Sequence, residues 1–447
     1  MLAPLANRTY RRLFLAQAIA LAGTGLATVA LALLAYDLAG GDAGAVLGTA
    51  LAIKMVAYVG VAPVAGGLAD RLPRRATLVA LDLVRAAIAI ALPFIDQVWH
   101  VYLLIFLLQA ASASFTPLFQ ATIPEVLDDE RDYTEALSLS RIAYDLESLL
   151  SPLLAAALLA VTSFHVLFAG TALGFAASAA LVGATVLPRL EPVRARRFAD
   201  RLTRGVRVFL RTPRLRGLLA VNLAVAAGGA MAIVNTVVYV RDRLGLGEGE
   251  TALALAAFGA GSMLVAVALP PLLARLSDRP VMIAGAAAIA AVLLAAPLLD
   301  AQLAGLFALW VVLGAGYSLA QTPTGRVLRR SSSAADRPAL FAAQFALSHA
   351  GWLLAYPLAG WAGAALGLDA AFLALGAIAT AAASAAALLW PRTDAESLVH
   401  VHTDLVPGDP HLAGAEPTAA GYKHRHALVI DDAHGHWPWP DGAMHRL

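Results

Sequence analysis

Long apolar runs, broken by short charged or Pro/Gly-rich segments, dominate the chain between residues 13 and 390. Each run has about 20 residues, the length that an α-helix needs to cross the hydrocarbon layer of a bilayer. The pattern predicts six membrane-spanning helices before residue 190 and six more after residue 216. Their predicted ranges are 13–36, 44–69, 76–96, 101–123, 136–161, 164–187, 217–240, 251–274, 281–299, 303–325, 339–363 and 369–390.

Two polar segments divide this pattern. A linker at 189–216 carries ten arginines and is long enough to form an amphipathic helix on the membrane surface. From residue 392 the hydropathy falls, Pro and Gly become frequent, and no helical period remains, which is typical of a disordered tail. We therefore predict an N-terminal six-helix half at 1–188, the linker, a C-terminal six-helix half at 217–391 and a His-rich cytoplasmic tail at 392–447.

The composition supports an assignment to the membrane. Of the 447 residues, 60% are hydrophobic and only 14% are charged, whereas soluble domains carry about a quarter charged residues. The composition therefore argues against a water-soluble enzyme. The chain has no cysteine, which excludes disulfides, thiolate catalysis and cysteine-based metal sites.

The arginines are distributed unevenly between the two sides of the predicted bundle. They fall mainly on alternate connections, including the N-terminal segment and the linker. Cytoplasmic loops carry the excess of basic residues in membrane proteins, so we predict that both termini are cytoplasmic and that the chain lies in the inner membrane of the cell. The basic loops should then contact lipid headgroups, and nucleic acid is not an expected partner.

The connection between the second and third predicted helices, residues 66–75, reads G-G-L-A-D-R-L-P-R-R. It resembles the signature G-x-L-A-D-R-x-G-R-R of the major facilitator superfamily, with Pro73 where the family usually has Gly. Residues 274–280, A-R-L-S-D-R-P, resemble a degenerate copy in a duplicated half. The resemblance implies an all-α membrane protein with twelve transmembrane helices in two six-helix pseudo-symmetric halves. It also implies a gating latch, formed by Gly66, Asp70, Arg71, Arg74 and Arg75.

Nothing in the sequence points to an enzyme or an ATPase. The phosphate-binding pattern G-x-x-x-x-G-K-[ST] does not occur, so transport would draw on an ion gradient, and we expect no cofactor. Residues 147–156, E-S-L-L-S-P-L-L-A-A, resemble the exporter signature G-x-x-x-G-P-x-x-G-G with its glycines replaced. This resemblance favours export over import, and a simple proline in a membrane helix is the alternative.

Seven ionisable residues lie inside predicted spans and away from the span ends, where each is costly unless it is paired or faces water. We predict that they carry substrate contact or proton coupling: Lys54, Asp82, Arg85, Arg141, Asp145, Glu147 and His349. Two pairs, Asp82 with Arg85 and Arg141 with Asp145, have helical spacings that also suit a structural brace. The other three, Lys54, Glu147 and His349, lie near the predicted midplane, where transporters of this kind bind their substrate.

The mid-span residues also have a purely structural interpretation. Lys54 would then pair with a carboxylate for packing, and His349 would hydrogen-bond a carbonyl group. Uncharged polar side chains leave the same choice open, because they either line a cavity or bond neighbouring helices. These side chains are Gln109, Gln120, Asn222, Asn235 and Gln321.

The tail holds eight of the eleven histidines. Three H-x-H pairs place both imidazoles on one side of an extended chain, and a His-rich tract is typical of metal binding. The predicted metal ligands are His400, His402, His411, His424, His426, His434 and His436. A solvated tail of biased composition, or a segment around 426–439 that docks on the inner face of the protein, is the alternative.

Three stretches, 81–86, 138–148 and 342–352, resemble a bacterial subgroup of nickel-resistance permeases with His-rich C-terminal tails. The resemblance implies a proton-coupled exporter of a divalent transition metal of the nickel and cobalt class. Its partners would be a small solute or metal ion, protons and the lipid bilayer, and we expect a monomer. An exporter of an organic solute such as a drug or siderophore, with an incidental tail, is the alternative. A non-transporting membrane sensor with a metal-reading tail is a third class.

Overall fold

The computed structural model describes residues 2–39, 43–68, 72–188, 198–298, 302–392, 397–402, 410–412, 414–419, 421–431, 434 and 437. Fourteen α-helices and three short β-strands form in these residues. The helices are α1 Arg8–Ala39, α2 Ala43–Leu68, α3 Arg74–Ala91, α4 Val98–Val126, α5 Glu130–Leu159, α6 Phe164–Gly183, α7 Phe198–Arg211, α8 Pro213–Val238, α9 Glu248–Leu273, α10 Asp278–Ala295, α11 Leu303–Gln321, α12 Thr324–Arg330, α13 Arg337–Leu366 and α14 Leu368–Leu389. The strands are β1 Ser397–His402, β2 Glu416–Thr418 and β3 Gly421–Ala427.

Twelve of the helices are long and match the predicted spans one by one; α7 and the short α12 are the additional helices. Over the described residues, nine helices are long and apolar enough to cross a membrane. The three long helices outside that set are α2, α5 and α13. These three helices carry Lys54, the Arg141 to Glu147 group and His349.

The helices pack as two bundles. In the first, α1 packs on α5 and α6, α3 packs on α6, and α2 packs on α4. In the second, α8 packs on α13 and α14, and α11 packs on α9 and α10. The main contacts between the bundles join α2 to α13 and α5 to α9. Buried alanines recur in the core, because small side chains let membrane helices approach closely.

One end of the molecule collects most of the arginines. There α2, α4, α9 and α11 end and α3, α5, α10 and α13 begin. We call it the arginine-rich end. It is the end that the sequence predicts to face the cytoplasm.

The linker forms the expected helix, α7, but this helix packs on protein rather than only on lipid. It contacts α2 and α13, and Arg204 is buried with its guanidinium 2.9 Å from Asp336 Oδ2. A Cβ at Gly205 would clash with the carbonyl oxygen of Ala339. The second half therefore holds the linker helix through both an ion pair and close backbone contact.

The tail contains a small antiparallel sheet in a region for which the sequence predicts disorder. The strand order is β1-β3-β2, and Leu398 lies opposite His426 while His402 lies opposite Tyr422. After β3 the chain packs on the second bundle, where Ile430 joins the main hydrophobic core. The tail is thus attached to the arginine-rich end.

Candidate functional site

Lys54 and His349 come together around an aromatic pair in the middle of the bundle. The Lys54 ammonium lies 5.5 Å from the centre of the Tyr58 ring, and the His349 ring meets Tyr58 edge-on at 4.7 Å. Phe345 packs on both rings, 4.2 Å from His349 and 4.9 Å from Tyr58. Since Tyr58 belongs to α2 and the other two rings to α13, this cluster bridges the two halves.

His349 has one nitrogen committed to its own helix. Its Nδ1 lies 2.7 Å from the carbonyl oxygen of Phe345, which requires that Nδ1 carry the proton and donate it. The Nε2 atom is then the nitrogen that can accept a proton or bind a cation. The carbonyl bond is the contact that the structural interpretation of His349 predicts, and it leaves Nε2 available for chemistry.

Glu147 on α5 is the acidic member of this group. It packs against α1, where a Cβ at Gly25 would clash with Ser151 and lie 2.7 Å from Glu147 Oε1. Lys54 lies close enough to interact electrostatically with both Glu147 and His349. Three different ionisable groups, from α2, α5 and α13, therefore share one region. We call Lys54, Glu147 and His349 the midspan cluster.

Arg141 and Asp145 form an ion pair on α5, as their spacing predicts. Arg141 Nε lies 3.1 Å from Asp145 Oδ2, and a second guanidinium nitrogen bonds Oδ1. The Arg141 guanidinium also lies over the ring of Tyr317 at 5.0 Å. Tyr317 belongs to α11, so this pair contacts the opposite half.

Asp82 and Arg85 lie inside the first half, and each is the main charged partner of the other. They form a buried ion pair, and Ser178 Oγ donates a 2.7 Å hydrogen bond to Asp82 Oδ2. The Arg85 guanidinium lies between Phe115 and Phe175, at 4.1 and 4.5 Å from their ring centres. This arrangement ties α3 to α4 and α6 and fits the structural interpretation of the pair.

Two of the polar candidates also bond neighbouring helices. Asn222 Nδ2 donates to Gln344 Oε1 at 3.2 Å, and Asn235 Nδ2 donates to the carbonyl oxygen of Ala359 at 3.0 Å. Both asparagines are buried. Each joins α8 to α13, so helix-to-helix bonding explains them.

At the arginine-rich end, the predicted latch residues face a carboxylate that the sequence pattern did not single out. Arg74 pairs with Glu125 at the end of α4, and Arg337 of α13 lies 3.6 Å from the same carboxylate. A Cβ at Gly66 would lie 2.5 Å from the Cβ of Ala342, so Gly66 permits close contact of α2 with α13. The halves are therefore joined here.

The other latch residues divide between the described and the undescribed parts of the chain. Arg75 donates to the carbonyl oxygen of Thr185 at 3.4 Å and stays within the first half. Asp70 and Arg71 lie outside the described residues. Of the described latch residues, Gly66 and Arg74 are the ones that lie at the contact with the second half.

The degenerate copy supplies a second connection between the halves. Asp278 accepts hydrogen bonds of 2.9 Å from both Arg326 and Arg330. Arg326 also donates to Thr134 Oγ1 at 2.6 Å and lies 3.4 Å from Glu130, both on α5. The aspartate of the copy thus orients an arginine of the second half toward the first.

The tail brings five imidazoles together. His402, His411, His424, His426 and His434 each offer a ring nitrogen, and these nitrogens all lie within 4.8 Å of one another. The pKa of His424 is lower than its ordinary value, first because burial disfavours its charged form and then because the other four imidazoles lie close by. Among the remaining predicted ligands, His400 lies on β1 opposite His424, and His436 lies outside the described residues.

Sequence patterns missed the residues that complete these sites. Tyr58 and Phe345 frame the midspan cluster, and Glu125 and Glu130 receive the arginines at the arginine-rich end. Nothing in the local sequence separates these glutamates from others in the chain, because their partners come from distant helices.

Comparisons with known proteins agree with this architecture. The family model described as Major Facilitator Superfamily matches residues 13–279 and 218–415. An uncharacterized MFS-type transporter of Bacillus subtilis (strain 168), YfiS, is 29% identical over 120 residues. That match spans 27% of this chain and 28% of the length of the relative.

Three solved structures superpose on most of the chain. The human organic anion transporter MFSD10 has a TM-score of 0.73 at 12% identity and covers 85% of this chain and 99% of its own. A bacterial homologue of the iron transporter ferroportin in an outward-facing state has a TM-score of 0.70 at 16% identity, covering 85% and 98%. The Escherichia coli fucose:proton symporter FucP has a TM-score of 0.69 at 15% identity, covering 86% and 98%. At these identities the likeness shows the fold alone.

Proposed function

The chain belongs to the major facilitator superfamily and is a multi-pass membrane protein rather than an enzyme, and on this premise we propose that it is a secondary active transporter that exchanges protons for a divalent transition-metal cation. The two halves would alternate between access states around the midspan cluster. The direction would be export across the inner membrane, with both termini in the cytoplasm. We expect the monomer to be the transporting unit.

The midspan cluster is the observation that carries this proposal. Lys54, Glu147 and His349 each lie more than ten residues from either end of their helices, about 15 Å or more at 1.5 Å per residue. Ionisable groups at this depth are costly, and in membrane transporters they mark substrate and proton paths. Lys54 and Glu147 belong to the first half and His349 to the second, so rocking of the halves would change their separation.

The donor chemistry supports a metal cation. The Glu147 carboxylate and the His349 Nε2 atom are an oxygen and an imidazole ligand, a combination that suits nickel, cobalt and zinc. Lys54 would neutralise Glu147 while the substrate is absent, and an arriving cation or proton would replace that interaction. One structural neighbour is a bacterial homologue of an iron transporter, which also supports a metal substrate.

The contacts at the arginine-rich end support alternating access. Glu125 and Glu130 of the first half meet Arg337, Arg326 and Arg329 of the second. These ion pairs close one end of the molecule, and they must break for that end to open. Gly66 and Arg74 would then act as part of the latch that favours the closed end.

Transport by the purified full chain in proteoliposomes tests the proposal. With an imposed pH gradient, we expect accumulation of Ni²⁺, Co²⁺ or Zn²⁺, measured by mass spectrometry of the vesicles, together with a matching movement of protons reported by a trapped pH dye. Glu147→Gln should abolish both movements, while Asp132→Asn on the same helix should leave them unchanged. Absence of accumulation of all three metals by the wild-type protein would overturn the metal assignment.

An organic anion is the second candidate substrate. Lys54 supplies a positive charge beside the rings of Tyr58 and Phe345, a combination that suits an aromatic carboxylate. One structural neighbour, human MFSD10, is an organic anion transporter. In the same vesicles, proton-driven uptake of a fluorescent aromatic carboxylate that is lost in Lys54→Met, without metal uptake, would select this candidate.

A further inference from the structure

The five-histidine centre of the tail is built by segments that are far apart in sequence. His424 and His426 lie two residues apart on β3, so their side chains share one face of the strand. His402 ends β1, His411 lies in a single turn at Pro410–Leu412, and His434 follows the strand. Their ring centres lie 4.6 to 5.0 Å apart where the rings touch. The pairing of β1 with β3 brings His402 beside His424, and the turn at Pro410–Leu412 and the segment after β3 add His411 and His434.

The spacing of the nitrogen atoms matches a single shared ion. Nitrogen ligands bound about 2.1 Å from one metal are at most about 4.2 Å apart. The five nitrogens lie within 4.8 Å of one another, so a contraction of roughly 0.6 Å would complete a coordination sphere. Small rotations of the rings are enough for this change.

A carboxylate orients one of the imidazoles from outside the centre. Asp431 Oδ1 lies 2.8 Å from His434 Nδ1 and also accepts the backbone N–H of His434 at 2.8 Å. The Nδ1 atom of His434 therefore donates its proton to the carboxylate, and Nε2 serves as ligand. Carboxylate–histidine pairs of this kind fix the tautomer and the ring orientation at protein metal sites.

The same segment is attached to the second half of the transporter. Leu428 and Ile430 are buried, with 2% and 3% of their surface exposed, and Ile430 belongs to the core of the second bundle. Trp437 packs on that core, and its ring lies 5.0 Å from the guanidinium of Arg214 in the first turn of α8. His434 lies in sequence between these two anchors. A metal ion bound to His426 and His434 would fix the chain on both sides of Ile430.

We propose that the five histidines bind one divalent transition-metal ion and that the bound ion clamps residues 421–431 and His434 onto the arginine-rich end of the second half. Imidazole ligands without thiolate suit Ni²⁺, Co²⁺ and Zn²⁺ rather than Cu⁺. The clamp contacts α8 and lies outside the midspan cluster. The proposal for the tail applies whatever substrate the protein transports, and it does not depend on the proposed function.

Equilibrium dialysis tests the metal site. The full chain, purified without a polyhistidine tag, is dialysed against Ni²⁺, and the bound metal is counted by mass spectrometry. The wild-type protein and His165→Ala, a histidine variant outside the tail, should bind the tail ion equally. The double variant His424→Ala/His426→Ala should lose one equivalent, with an unchanged melting temperature of the helical bundle. Equal binding by the double variant would overturn the proposal.

The same dialysis experiment distinguishes the tail metal site from the proposed transport site. Glu147→Gln should retain the tail ion, because the midspan cluster and the five histidines share no residue. The tail proposal therefore stands if the vesicles transport no metal. It fails if Glu147→Gln loses one equivalent of bound Ni²⁺ and the double histidine variant does not.

Hydrogen–deuterium exchange tests the clamp. In the wild-type protein, Ni²⁺ should slow amide exchange in residues 421–431 at least tenfold, because an ion that binds the docked state stabilises it by mass action. The double histidine variant should show no such change. Identical exchange in the wild-type protein with and without Ni²⁺, under conditions where the ion is bound, would overturn the clamp.

Asp431 provides a graded test of the geometry. As a positioning residue for His434, Asp431→Asn should weaken Ni²⁺ affinity about 10- to 100-fold while the stoichiometry and the exchange rate of the metal-free tail stay the same. Glu416→Gln, an exposed carboxylate of β2, is the matched control. An affinity of Asp431→Asn equal to that of the control would contradict the arrangement.

Discussion

The ionisable residues inside the spans fall into two groups with different surroundings. Asp82 and Arg85 pair with each other, are almost fully buried, and join helices of the first half only. The midspan cluster contains three kinds of side chain on three helices, and it extends across both halves. A closed pair within one rigid half can stabilise the fold, whereas groups divided between moving halves can respond to a substrate. The distribution of partners, rather than burial, separates the two roles.

The largest expected effect is on stability, from neutralising one member of the closed pair. Asp82→Asn leaves the buried Arg85 charge without its partner, which typically costs about 3–5 kcal/mol. We expect a lower melting temperature and a smaller monodisperse fraction in detergent. Lys54→Met, at a half-buried position, should keep the wild-type melting temperature and lose transport.

A charge exchange sharpens this result. Asp82→Arg combined with Arg85→Asp restores an ion pair, so the double variant should recover part of the lost stability. A stable Asp82→Asn protein that has lost only transport would contradict the assignment of this pair to the fold.

The next largest effect compares two carboxylates on one helix, α5. Asp145→Asn removes the negative charge that faces Arg141 and replaces one of its two acceptor oxygens with an NH2 donor, and because bonds to charged groups contribute about 1.5–3 kcal/mol, we expect a lower melting temperature. Glu147→Gln should leave the melting temperature unchanged and abolish proton movement in vesicles. If Glu147→Gln unfolds the protein as readily as Asp145→Asn does, the separation between bracing and coupling on α5 is wrong.

An uncharged polar residue extends the comparison at a smaller scale. Asn222→Ala breaks the hydrogen bond to Gln344 between α8 and α13, for which we expect a loss of about 1–2 kcal/mol in the free energy of unfolding. The substrate concentration for half-maximal transport should not change. A change in that concentration with unaltered stability would assign Asn222 to the substrate path.

The smallest effect concerns the latch between the halves. Glu130 is half exposed and lies 3.3–3.4 Å from Arg329 and Arg326, so Glu130→Gln should weaken the closed end by about 1 kcal/mol or less. Because the chain lacks cysteine, a single Leu137→Cys substitution at this interface reports opening through its rate of maleimide labelling. We expect labelling to become up to about fivefold faster with Glu130→Gln and to stay constant with Glu416→Gln. Slower labelling would contradict the prediction that Glu130 stabilises the closed end.

The sequence predicted the helices well because the membrane imposes one rule on every span. The apolar runs at 44–69 and 164–187 became Ala43–Leu68 and Phe164–Gly183, with differences of one to four residues at the ends. The twelve-helix fold of the major facilitator superfamily is confirmed. Pairings within one helix, such as Arg141 with Asp145, also followed from spacing alone.

Pairings between distant segments could not be predicted in the same way. Glu125 pairs with Arg74 and Arg337 only because the end of α4 lies beside the starts of α3 and α13. No local sequence pattern encodes this contact. The H-x-H spacing correctly placed His424 and His426 on one strand face, but the hydropathy of the tail gave no sign of the sheet that brings His402 beside them. The linker likewise predicted an amphipathic helix without indicating that Asp336 would receive Arg204.

The attachment of α7 has a consequence for dividing the gene into two pieces. The Arg204–Asp336 ion pair and the contact of Gly205 with Ala339 make α7 part of the second half, although it precedes α8 in the chain. Two fragments separated before residue 198 should therefore reassemble into an intact protein when they are produced together. A break at Thr212, directly before α8, would leave α7 on the wrong fragment and expose the surface of α13 that it covers.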